Sequence, residues 1–196
     1  MPSIPLIGFL LLITSVSPAW AHISSGGIVD SYSGLLHPFT EPLHIITIIG
    51  LGFLLSQQGK SIPPIGWVTY CIAALVGLIA SSLGLSLSIN ILLYLLSILL
   101  GILVAAKPAL SRMVCVLFSL IVGFLLGMDS VSATPGIGKL VITIFSTTTG
   151  LGIALLMVIG WGDYFTRDWQ KIGIRVIGSW IAAIALLLFT LSLKTV

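Results

Sequence analysis

Six apolar runs constrain this chain more than any other feature. They lie near residues 35–55, 65–83, 87–106, 113–129, 140–161 and 172–193. Each falls within the roughly 17–25 residues that a helix needs to cross a bilayer. A helix satisfies its own backbone hydrogen bonds, which hydrocarbon cannot do for it. The connections carry the breakers: Gln57-Gln58-Gly59-Lys60-Ser61 with Pro63-Pro64, then Lys107-Pro108, Pro135-Gly136 and Gly160-Trp161-Gly162. Only 7% of the residues are charged and 58% are apolar, whereas a soluble domain carries about 25% charged residues. The expected class is an all-α integral membrane protein, a bundle of six transmembrane helices forming one membrane domain over residues 22–196. The basic residues are scattered singly, so the net charge of +3 does not point to nucleic acid. Cys71 and Cys115 both fall inside spans and read as small core residues.

Residues 1–21 read as a cleaved signal peptide. Leu6 to Val16 is an apolar stretch too short to span, and Ala19-Trp20-Ala21 is an A-x-A cleavage site. A basic n-region is missing, and an uncleaved anchor is the alternative. Cleavage would leave His22 as the mature N-terminus, with an α-amine and an imidazole that together can chelate a metal. With that terminus outside, the inner loops hold Lys60, Lys107, Arg112, Arg167, Lys171 and Arg175, and the outer segments hold Lys139 and Lys194. Six against two obeys the positive-inside rule and sets both termini outside the plasma (inner) membrane.

This orientation gathers the scarce ligand side chains on one side. All three histidines, with Asp30 and Glu41, fall between His22 and His44. Asp129 closes the fourth span on the same outer side. Were the backbone helical from Pro38, His37, Glu41 and His44 would stand at i, i+4 and i+7 and share one face. Two imidazoles and a carboxylate suit a borderline divalent cation such as Zn, Ni or Co. Pro42 opposes that register, because a proline inside a helix clashes with the carbonyl four residues back. The helix would then begin at Pro42, with HPFTEP as a turn. The plainer reading has His37 as a helix cap and Glu41 as a first-turn acid favoured by the helix dipole. An ionisable group at a span is costly and marks function by default. Ser146-Thr147-Thr148-Thr149-Gly150 is a polar run in the fifth span that either lines a path or bonds neighbouring backbone. Gly123-x-x-x-Gly127 reads as close helix packing, and Trp67, Trp161 and Trp180 as interfacial anchors.

A signal peptide ending before a His, then GLLHP, a second His seven residues on, and GLG resemble the HupE/UreJ family of hydrogenase and urease accessory membrane proteins. The resemblance extends to the closing RVIGSWIAAIALLL. The family's first motif is a His, five residues, then Asp-His. Here His37 and His44 match, Leu43 stands at the Asp, and Glu41 stands where the family usually has Gly. The second motif, a pair of His-Gly steps ending in an acid, aligns to Ile121–Asp129. Gly123, Gly127 and Asp129 match, while Val122 and Leu126 replace both histidines. The chain looks like a diverged member.

The resemblance implies a permease for nickel or cobalt, with His22, Asp30, His37, Glu41, His44 and Asp129 as the expected ligands. The alternative is a membrane-anchored metal-binding assembly factor for a metalloenzyme, without transport. No G-x-x-x-x-G-K-[ST] phosphate loop occurs in the sequence. Transport would then draw on the metal gradient, a partner, or the membrane potential, about 4.6 kcal/mol for a dication at 100 mV. No enzymatic activity and no enzyme cofactor are expected. A zinc hydrolase built on His37, Glu41 and His44 is a third reading, but no further polar constellation suggests a substrate site. The expected partners are the lipid bilayer and a divalent metal ion (Ni or Co, with Zn also admissible), and a second copy or a maturation partner of the metalloenzyme.

Overall fold

The computed structural model describes residues 34–36, 39–85, 89–130 and 137–193. The signal-peptide expectation, His22, Asp30 and His37 lie outside them. Among the described residues, six helices of fifteen or more residues follow one another: α1 Pro42–Ser56, α2 Ile62–Ser82, α3 Asn90–Ala106, α4 Arg112–Asp129, α5 Ile137–Tyr164 and α6 Asp168–Ser192. Each overlaps one of the apolar runs. Four of them, α2, α4, α5 and α6, are long and apolar enough to cross a membrane. The chain is a membrane protein.

Helix starts and stops follow local chemistry. Residues 34–36 are helical, but the first run is not one continuous helix from there, because the helix is broken at Glu41. Glu41 is extended (φ −94°, ψ 113°) and α1 starts at Pro42. The residue before a proline is driven out of the helical region, while proline itself fits the first helical position. The Glu41 carbonyl accepts the first helical bond, from Ile45 N–H at 3.1 Å. Pro63 and Pro64 fall in the first turn of α2, where their missing N–H groups cost nothing. The Ser111 hydroxyl accepts from Val114 N–H and caps α4.

Neighbouring contacts fix the direction of each helix. Thr47 meets Ser97, and Gln57 meets Val104, so α1 and α3 run the same way. Gly52 packs on Val158 and Gly162 on Ser56, so α5 runs with them. His44 meets Asp129, and Gly66 lies between Leu55 and Ser119, so α2 and α4 run opposite to α1. Gly101 packs on Ala182, and Arg175 reaches Ala105, so α6 opposes α3. The six helices therefore alternate in direction along the chain.

Two close pairs build the bundle. Gly123 and Gly127 lie against the carbonyl oxygens of Tyr70 and Ala74 on α2, and Gly77 of α2 lies against that of Phe124 on α4. Without side chains at these three points the backbones touch, which is how membrane helices gain packing energy when lipid competes equally for apolar surface. Gly101 and Gly178 do the same for α3 and α6.

Between the pairs runs α1, which touches all five other helices. Ten of its fifteen residues are buried. A helix apolar on every side belongs in such a centre. Its length of about 22 Å falls short of the hydrocarbon thickness. Enclosure by five neighbours removes the need to meet lipid along that whole length. Trp67 departs from the reading as a simple interfacial anchor: its indole N–H donates to the Gly152 carbonyl at 2.8 Å and ties α2 to α5.

Candidate functional site

The start of α1 and the end of α4 come together at one end of the bundle. His44, in the first turn of α1, is 1% exposed. Its Nε2 lies 2.9 Å from Oδ2 of Asp129, the last residue of α4. The two are 85 positions apart in the chain. Asp129 keeps 32% of its side chain exposed, so the pair is buried on the imidazole side and open on the carboxylate side. An acid is disfavoured at the C-terminus of its own helix, where the dipole is negative. Here the N-terminus of α1 and the His44 imidazole face it and offset that cost. A carboxylate oxygen accepts, so this bond is made by the His44 tautomer that carries its proton on Nε2. A dication replacing this proton would be held by an imidazole and a carboxylate at once, a donor pair suited to Zn, Ni or Co.

A second polar layer lies one turn deeper. Thr47 Oγ1 is 2.6 Å from Ser97 Oγ on α3, and both residues are fully buried. Each hydroxyl also reaches a carbonyl of its own helix, Leu43 and Leu93. Deeper still the lining turns apolar. Leu51, Leu54, Leu100, Val122, Leu126 and Leu155 are fully buried in one continuous cluster. Val122, Leu126 and Asp129 share one face of α4 by their i, i+4, i+7 spacing, so the two apolar residues stack beneath the carboxylate.

The expected site residues are thus brought together in part. His44 and Asp129 meet. Glu41 is exposed and sits at the N-cap of α1, with no cap hydrogen bond from its side chain. It does not share a helical face with His44, because the helix begins one residue after it. Among the described residues no group of three or more His, Cys, Asp and Glu side chains is gathered. Thr47 and Ser97 were missed as site neighbours. The signal for Thr47 was its place three residues after His44, and Ser97 had none beyond being polar inside an apolar run.

Small residues seat the segment that leads in. A side chain at Gly34 would strike Ser146 and one at Gly150 would strike the Leu35 carbonyl, so residues 34–36 dock on α5. In the polar run of α5, Ser146, Thr148 and Thr149 donate to carbonyls of their own helix, those of Thr143, Ile144 and Phe145. Thr147 is buried, with a hydroxyl that has no partner among the described residues.

Residues 10–188 match the family model described as HupE / UreJ protein. The chain belongs to the HupE/UreJ family. No curated protein and no solved structure matches the chain significantly. The match spans α1 to α5 and most of α6, so the His44–Asp129 pair lies inside the HupE/UreJ region.

Proposed function

We propose that the protein is a secondary transporter or permease for a divalent transition metal, nickel or cobalt, which it accepts at the end of the bundle marked by His44 and Asp129. Membership of a family of nickel- and cobalt-related accessory and permease proteins supports this reading. The observation that carries it is the 2.9 Å pairing, buried on its imidazole side, of an imidazole and a carboxylate from two helices. Two protein ligands leave room for others. Glu41 stands next to α1 with an exposed carboxylate, and His22, Asp30 and His37 precede it in the same outer segment. Together they would complete a site of imidazole and carboxylate donors.

Six crossings with both termini outside fit the alternating helix directions. Lys60, Lys107, Arg112, Arg167, Lys171 and Arg175 all fall at the end opposite His44 and Asp129. By the positive-inside rule that end is cytoplasmic and the metal pair faces outward.

The apolar cluster beneath Thr47 and Ser97 favours a second reading. A dication cannot pass Leu51, Val122 and Leu126 as they are packed, so transport requires the helices to rearrange. A membrane-anchored assembly factor would hold metal at the same pair and need no such change. Uptake of labelled Ni²⁺ and Co²⁺ by intact cells separates them. A permease raises uptake, and His44→Ala removes the increase. Binding by the purified protein without any uptake in cells identifies the assembly factor.

A further inference from the structure

The opposite end of the bundle holds a second polar site that the metal reading does not use. A cavity of about 190 Å³ opens where α1, α3, α5 and α6 meet. Ser56, Gln57, Lys107, Phe165, Lys171 and Ile174 line it. We propose that this cavity binds a phosphate group, as presented by an anionic lipid headgroup at the basic face of the membrane.

Lys107 is the first reason. It is the only non-glycine residue with positive φ among the described residues (φ 54°, ψ 51°). It ends α3 and precedes Pro108. Glycine is the usual choice for a left-handed residue at a helix end, because a Cβ strains that conformation. Retaining lysine there keeps an ammonium at the mouth of the cavity despite the strain. Among the described residues this ammonium makes no hydrogen bond or ion pair, whereas Arg175 already serves the end of α3 by donating to the Ala105 carbonyl at 2.8 Å.

The rest of the lining fits the same ligand. Lys171 supplies a second ammonium. Its contact with Asp168 is 3.4 Å long and that carboxylate is 99% exposed, so the pair is screened by water and yields readily to a stronger anion. Gln57 donates through Nε2 to the Val104 carbonyl, which fixes its amide. Its Oε1 is buried with no partner among the described residues. A ligand with a phosphate and a nearby hydroxyl or ammonium satisfies both lysines and this acceptor. Phosphatidylglycerol, an anionic lipid whose phosphate sits beside glycerol hydroxyls, carries that combination. Basic pockets between transmembrane helices on the cytoplasmic side are suited to such headgroups.

The test uses the full chain in nanodiscs and reads the unfolding midpoint. Phosphatidylcholine discs are compared with discs containing phosphatidylglycerol, and a second arm adds inorganic phosphate to phosphatidylcholine discs. Lys107→Gly relieves the backbone strain, so it should unfold no lower than the parent in pure phosphatidylcholine. It should lose the gain from phosphatidylglycerol, with an apparent affinity at least about fivefold weaker. Lys60→Gln removes a charge from the same end outside the cavity and should keep the gain. A gain with either phosphate source that Lys107→Gly loses and Lys60→Gln keeps supports the site, and the arm that produces it names the source. No gain in either arm, a gain that Lys107→Gly keeps, or an equal loss in both variants overturns it.

Discussion

Gly127→Ala should loosen both the α2–α4 pair and the metal pair. A Cβ at Gly127 would fall on the Ala74 carbonyl oxygen, 2.9 Å from its carbonyl carbon and 3.0 Å from its Cα. All three are backbone atoms, so no side-chain rotation relieves the clash. Ordinary contact between carbon atoms begins near 3.5 Å. The helices must therefore part by on the order of 1 Å, and overpacking of this kind costs about 1–3 kcal/mol. Asp129 lies two residues further along α4. A shift of that size there is enough to take its 2.9 Å contact with His44 past hydrogen-bond range. Gly160→Ala is the control, because nothing lies within 4 Å of a Cβ at that position. Reversible unfolding in mixed micelles should show Gly127→Ala less stable by about 1–3 kcal/mol and Gly160→Ala unchanged within about 0.5 kcal/mol. Metal affinity should fall only in the first variant. A Gly127→Ala protein as stable as the control would refute the close-contact argument for this pair.

Glu41→Gln should weaken Ni²⁺ binding about tenfold, through loss of a charge beside the dication. Stability should stay constant, since Glu41 makes no cap bond. A change in affinity below about twofold would leave Glu41 as a solvated residue before Pro42. Single cysteines at Ser61 and Ser132 should react with impermeant reagents from the cytoplasmic and outer sides respectively, and labelling of both from one side would sink the six-crossing arrangement.

The rough positions of the helices were legible because apolar run length acts locally, although Gly160-Trp161-Gly162, read as a break, lies inside α5. The start of α1 was legible for the same reason: Pro42 forces Glu41 into an extended conformation wherever the rest of the chain goes. Gly123-x-x-x-Gly127 also showed its packing role, since two missing side chains one turn apart leave a flat surface on any helix. Which helix takes the centre was not legible. All six runs are apolar, so burial by protein and burial by lipid leave the same composition, and α1 is set apart only by its neighbours. Trp67 looked like an interface residue because tryptophan favours that depth, but the carbonyl of Gly152 on another helix decides its orientation.

The site divides in the same way. That His44 and Asp129 lie at one end follows from counting spans. That they touch depends on how α1 and α4 pack, since the two stand 85 positions apart in the chain. Glu41 and His44 do not share a helical face because α1 begins at Pro42, the start that the proline itself offered as the alternative; His37 lies outside the described residues. The Thr47–Ser97 layer stayed hidden because single hydroxyls inside apolar runs commonly bond their own helix, as three residues of the 146–149 run do.

The most direct measurement is calorimetric titration of Ni²⁺ and Co²⁺ into the purified protein, its His44→Ala variant and its Asp129→Asn variant. Asp129→Asn keeps the size and most of the hydrogen bonding of the side chain, so it guards against a simple loss of fold in His44→Ala. Both variants should bind at least about tenfold more weakly than the parent and keep its helical content; Asp129→Asn should unfold close to the parent in phosphatidylcholine discs, whereas His44→Ala, which empties a buried position, should unfold lower. Equal affinity in all three proteins would show that the imidazole–carboxylate pair is a structural clasp between α1 and α4 and not a metal site.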